Sequence, residues 1–190
     1  VTPDTASATG AFANKNVGTS KTVTVSGITL DGTDAGNYTV TQPTTTADIT
    51  PKNLTVSGIT ANDKVYDGNT TASLNLGGAS LNGVVGGDDV TPDTASATGA
   101  FANKNVGAGK TVTVSGVSLD GADAGNYSVT QPTTTADITP RGLNVTATAS
   151  NKVYDSTTSA TASLFDDRLG GDSLTLAYTG ASFLDPNVGS

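Results

Sequence analysis

Residues 111–129 read TVTVSGVSLDGADAGNYSV. Val112, Val114, Val117 and Leu119 are spaced by Thr, Ser and Gly, the period-two pattern of a strand with one face on a core and one in water. Asp120, Gly121 and residues 122–126 then supply turn formers. Tyr127 and Val129 resume the alternation. The register predicts Phe101, Val112, Val114, Leu119, Tyr127, Val129 and Ile138 inside, with Thr111, Thr113 and Ser128 outside. A slip of one residue would invert every one of these positions.

The same stretch occurs earlier in the chain. Residues 1–51 and 90–140 are one segment repeated 89 positions apart, differing only at Thr19/Ala108, Ser20/Gly109, Ile28/Val117, Thr29/Ser118, Thr33/Ala122 and Thr39/Ser128. The remaining half of the repeat recurs more loosely. KVYDG at 64–68 returns as KVYDS at 152–156, Gly86-Gly87-Asp88 as Gly170-Gly171-Asp172, and FANKNVG at 101–107 as FLDPNVG at 183–189. This period is too long for common solenoid repeats, so each unit reads as a small domain. ADITP at 47–51 and 136–140 is followed at once by an alternating strand, and Pro removes a ladder donor and marks a strand end. Module boundaries are therefore placed at 1–51, the later part of a module; 52–140, a complete module; and 141–190, the earlier part of the next. No Gly/Ser linker separates them, so a semi-rigid rod is expected. Within the complete module, strands are predicted near 53–59, 70–76, 79–85, 94–102, 110–119, 126–131 and 134–139. Seven short strands between turns fit an antiparallel β-sandwich.

Composition agrees. Thr is the commonest residue, Cys, His, Met and Trp are absent, and every acidic residue is Asp. Thr and Val favour pleated surfaces; no window carries helical apolar spacing. The formal charge of −8 offers no basic stripe for nucleic acid. No apolar run is long enough for a membrane span. Zero cysteine is neutral on compartment, since oxidising environments permit disulfides without requiring them, though a cysteine-free chain suits export in an unfolded state.

Asp123, Gly125 and Tyr127 form D-x-G-x-Y after a strand, with Asp34, Gly36 and Tyr38 as the earlier copy. This resembles the E–F corner of an immunoglobulin-like domain, where a Tyr hydroxyl bonds back to the corner backbone. The resemblance implies a sandwich and a bond from Tyr127 to backbone near residues 119–124. Val129 stands where the second Cys would be, so antibody-type binding is not implied.

A second resemblance spans the chain. KVYDGNTTA, the GGDD turn, the long segment 97–140 and the tandem layout resemble the YDG-type repeats of very large bacterial exoproteins, including filamentous-haemagglutinin-like adhesins. That resemblance implies an extracellular structural module used in arrays. It is weaker over 141–190, where Ser156 replaces the Gly of YDG and residues 165–168 have no counterpart.

Candidate sites are few. Without His, Cys or Glu, the usual general bases and thiol nucleophiles are missing, and the Asp residues sit in Gly-flanked turns; no catalytic residue is assigned. Asp120, Asp123 and Asn126, with Asp31, Asp34 and Asn37 as the earlier copy, place three oxygen side chains within seven residues, a calcium-like grouping. Turn capping by the same side chains is the favoured reading, and no cofactor is assigned. Tyr66, Asp67 and Gly68 are expected to form a tight turn, Gly supplying positive φ and Tyr packing its ring while its hydroxyl finds a partner. Tyr154 and Asp155 belong to the later copy, whose turn must tolerate the Cβ of Ser156.

Two functions of different class follow. One is a stalk or filament element of a secreted bacterial surface adhesin. The other is an adhesion module with one glycan site per repeat, which would call for exposed aromatic side chains. The partners expected are neighbouring modules of the same or an identical chain, head to tail, with host or cell-surface glycans or proteins under the second reading. Half a sandwich leaves an open apolar face, so both terminal halves are expected to be completed, either by continuation of the array or by another copy.

Overall fold

A computed structural model describes residues 1–187, and the end of the FLDPNVG segment lies outside them. The described residues are all-β, with two single-turn 3₁₀ segments among them, Ala35–Asn37 and Ala124–Asn126. Among the described residues no helix is long and apolar enough to cross a membrane. The first half-module contains β1 (Thr2–Asp4), β2 (Thr9–Phe12), β3 (Gly18–Ser26), β4 (Thr29–Asp31) and β5 (Thr44–Ile49). The complete module opens with β6 (Lys52–Ser57), β7 (Thr60–Ala61), β8 (Lys64–Val65), β9 (Thr71–Ala72), β10 (Leu74–Asn75) and β11 (Ser80–Asn82). It continues through β12 (Thr91–Asp93), β13 (Thr98–Phe101), β14 (Gly107–Ser115), β15 (Ser118–Asp120), β16 (Tyr127–Thr130) and β17 (Thr133–Thr139). The last segment holds β18 (Val145–Ala149) and β19 (Ala162–Asp166).

Two sheets dominate the complete module: five strands in the order β8, β17, β14, β13, β9, and three in the order β11, β6, β16. Two of these pairings are parallel, β16 on β6 and β17 on β8. This corrects the expectation of a purely antiparallel module. The first strands of the module lie beside its last, so neither half can complete its own ladder. Two predicted strands are also interrupted: 70–76 divides into β9 and β10, and 110–119 breaks at Gly116, which takes φ +82°.

The predicted face is the buried one. Phe101, Val112, Ala136 and Ile138 form one cluster with Ala72, while Val114 and Val117 meet Val56 and Ile59 from the three-stranded side. Tyr127 is buried, Leu119 and Val129 are half-buried, and Thr111, Thr113 and Ser128 are exposed, so the register is as read. Close approach tightens the module at Gly58, φ +79°, where an added Cβ would lie 1.9 Å from the Gly78 carbonyl oxygen.

The two outer segments differ from the complete module in burial. Phe101 is 3% exposed, whereas its counterparts Phe12 and Phe183 are each 40% exposed. Leu54 is fully buried, but Leu143 at the matching position is 39% exposed. Residues 38–41 repeat the sequence of β16 almost letter for letter yet form no strand. β16 is held by β6, and among the described residues no strand pairs with residues 38–41. In the last segment a continuous five-residue ladder between β18 and β19 replaces the broken pairings of β6 with β11 and β7 with β10. Some of the repeat contacts persist there. The Phe183 amide donates to the Thr158 carbonyl at 2.7 Å, as Phe101 does to Thr70.

Candidate functional site

The YDG motif is a turn stapled by a lysine. Asp67 accepts the Asn69 amide at 3.1 Å through Oδ1, closing an Asx-type turn, and Gly68 adopts φ +80°. Lys64, which the sequence reading passed over, lies across this loop. Its ammonium donates to Asp67 Oδ1 (2.7 Å), the Asn69 carbonyl (2.9 Å), Asn69 Oδ1 (3.0 Å) and the Thr71 carbonyl (3.1 Å), and sits 5.5 Å from the Phe101 ring centre. The signal was its place in both KVYD copies. Lys152 repeats the arrangement with Asp155, with Thr157 and above Phe183. Lys152 and the Thr157 amide hold the Asp155 carboxyl down at about 2. Ser156 takes φ +63°, so this turn keeps its left-handed residue despite the Cβ.

Tyr66 packs its ring against the core cluster containing Phe101 and sends its hydroxyl out of the module. It donates to Asp172 Oδ1 at 2.7 Å, in the Gly-Gly-Asp turn of the following segment. Lys104 donates to the same oxygen at 3.0 Å. Tyr66 first and Lys104 second depress the Asp172 carboxyl below the usual range. Tyr154, in the matching place one repeat later, is exposed.

The second motif, D-x-G-x-Y, does not make the expected corner. Tyr127 donates to Asp88 Oδ2 at 2.7 Å and accepts the Val85 amide at 3.1 Å. Its partners lie in the GGDD turn, not in residues 119–124. The physical reason is that this turn is clamped directly over the tyrosine. The Asp89 amide donates to Asp123 Oδ2 and the Asp123 amide to the Asp89 carbonyl, both at 3.1 Å, while Asp89 Oδ2 accepts the Ala122 amide at 3.3 Å. A carboxylate is also a stronger acceptor for a phenol than a backbone carbonyl. Gly125 lies in the 3₁₀ turn Ala124–Asn126 with open space around it.

Four of the six calcium candidates, Asp31, Asp120, Asp123 and Asn126, accept backbone amides through their side chains. Asp120 and Asp31 accept the amides of Gly121 and Gly32 at 2.8 and 2.7 Å. Asn126 Oδ1 accepts the amide of Val17, in the preceding half-module, at 2.9 Å. Asp34 and Asn37 bracket the 3₁₀ turn Ala35–Asn37, the Asn37 amide donating to the Asp34 carbonyl. Among the described residues no group of three or more carboxylates is arranged to hold a metal.

Lys15 donates to Asp88 Oδ1 at 2.7 Å and lies 3.3 Å from Asp123. Lys15 and Lys104 are the same residue of the repeat, and Asp88 and Asp172 occupy the same Gly-Gly-Asp turn. One contact therefore joins successive modules at both junctions. An open depression of about 660 Å³ is lined by Lys152, Tyr154, Phe183 and Leu184. The matching region of the complete module is where β14 and β17 pack onto Phe101.

No curated protein and no solved structure matches the chain. A model of the YDG domain matches it in three successive stretches, residues 1–47, 50–136 and 139–190. With nearly every residue matched, and the motif itself formed as a lysine-stapled turn at the module junction, the chain belongs to the YDG domain family.

Proposed function

We propose that the chain is a stalk or filament segment of a secreted bacterial surface adhesin, a run of small β-sandwich modules docked end to end as a rod, and that it has no catalytic role. The observation that carries this reading is the recurrence of one ion pair, Lys15 with Asp88 and Lys104 with Asp172, at two successive junctions. A repeated heterologous contact that does not close generates a linear array. The motif side chains are spent on structure: Lys64 and Asp67 on a turn, Tyr66 and Tyr127 on core and junction. In the complete module the two tyrosines and Phe101 pack inward, leaving little aromatic surface for a sugar.

Arrays with two, four and six copies of residues 52–140 between the terminal segments test the proposal by small-angle scattering. A rod adds a constant increment of maximum dimension per repeat. Growth as the square root of repeat number, the behaviour of a flexible coil, would overturn it. A glycan array probed with the same proteins separates the classes: saturable sugar binding proportional to repeat number would replace the spacer with an adhesion module.

A further inference from the structure

The two junctions each display part of one contact. At the first, Asp88 takes Lys15 of the preceding half-module on Oδ1 and Tyr127 of its own module on Oδ2. At the second, Asp172 takes both Tyr66 and Lys104 of the preceding module on Oδ1. Residues 1–51 contain no KVYD motif and residues 173–190 no D-x-G-x-Y motif, so each junction pairs the turn with one of the two tyrosine types. Both turns receive the lysine of the same repeat position, Lys15 at Asp88 and Lys104 at Asp172.

We propose that where two complete repeats adjoin, the Gly-Gly-Asp carboxylate is a node that binds both motif tyrosines at once. The YDG tyrosine and the lysine of the preceding repeat occupy one oxygen, and the tyrosine of its own D-x-G-x-Y turn occupies the other. The partner is thus the YDG end of a second copy of the module, seated on the GGDD end of the first. This rests on the stalk reading above. The node is chemically satisfiable, because an ionised carboxylate offers about four acceptor positions and three donors converge on it. The oxygen used by Tyr127 at Asp88 is the one that Tyr66 and Lys104 leave to spare at Asp172. The Tyr66 ring is also seated between modules, where it lines a mostly apolar cavity of about 250 Å³ with Val106, Leu169 and Leu174.

The tyrosines matter more than the lysine for stiffness. An exposed lysine pair contributes little and tolerates many geometries, and the Lys15 side chain is largely exposed. A phenol with its ring packed has only two side-chain torsions, so a short charge-assisted bond from it fixes the orientation of one module on the next.

The test uses the full chain with one additional copy of residues 52–140 inserted after Pro140, which places two complete repeats side by side. The protein has no cysteine, so Thr113→Cys in both copies accepts spin labels at an exposed strand position, and electron–electron distance distributions read the junction. The expected result is a narrow distribution that widens with Tyr66→Phe in the first copy. It should widen also with Asp88→Asn in the second copy, and no further when the two are combined. An unchanged width in Tyr66→Phe, or widening by the two changes independently, would overturn the node while a narrow parent distribution leaves the rod standing. A broad distribution in the parent would remove both. Tyr66→Phe keeps the ring that packs on the core, and circular dichroism of each variant verifies that the modules remain folded.

Discussion

The Tyr127 hydroxyl donates to Asp88 across 39 positions of sequence, at 2.7 Å, and accepts the Val85 amide with its remaining capacity. This one phenol ties the last third of the module to the turn before β12. Lys15 first, and Tyr127 second, hold the Asp88 carboxyl below the usual range, and Asp88 in turn raises the Tyr127 hydroxyl.

Tyr127→Phe removes the donor to Asp88 and leaves the Val85 amide without its acceptor. Thermal unfolding of the variant should move down by a few degrees, as for loss of a small number of buried hydrogen bonds. Tyr38→Phe, the same change in the first half-module where the side chain is exposed, should leave the transition in place.

Phe101→Ala should destabilise the complete module by about 3–5 kcal/mol in urea unfolding, the range for emptying an aromatic site in a core. Phe12→Ala, in identical local sequence, should cost under about 1 kcal/mol because Phe12 is already partly in water. Equal effects would mean that the first half-module is closed in solution.

Ser156 carries a left-handed backbone that costs a residue with a Cβ about 1–2 kcal/mol relative to glycine. Ser156→Gly should therefore slow amide exchange in its turn, and Gly68→Ser should lower the unfolding midpoint of the complete module. Backbone strain alone is involved at Gly68, since a Cβ there would meet only Leu169 at ordinary contact distance.

Acid should loosen the junctions before it unfolds the modules. Asp88 faces Lys15 and Tyr127, with Asp89 and Asp123 beside it, and Asp172 faces Tyr66 and Lys104; both carboxyls are depressed. A depressed folded-state value contributes stability above the ordinary carboxylate range and loses it as pH falls through the lowered value. Scattering profiles should be constant from neutral pH down to about 4 and shorten or broaden below it. The Lys152–Asp155 turn should persist until pH approaches about 2.

Much of this protein is legible in its sequence. The period of two across Val112 and Val114 fixes which face is buried, because a strand's side chains can only alternate. The duplication of residues 1–51 at 90–140 establishes modules, and the glycine of YDG marks a left-handed turn that Ser156 reproduces. What the sequence alone could not decide is who receives each tyrosine. D-x-G-x-Y has a local solution, a bond to its own corner, and spacing cannot show that the GGDD turn folds over it with a charged acceptor. Nor can spacing reveal that β6 and β8 run parallel to β16 and β17, since pairing between strands some 75 residues apart depends on how the whole chain closes. The tertiary structure decided both. Residues 38–41 and 127–130 share nearly one sequence, and only those beside β6 become a strand, because a backbone ladder needs a partner that local propensity does not provide.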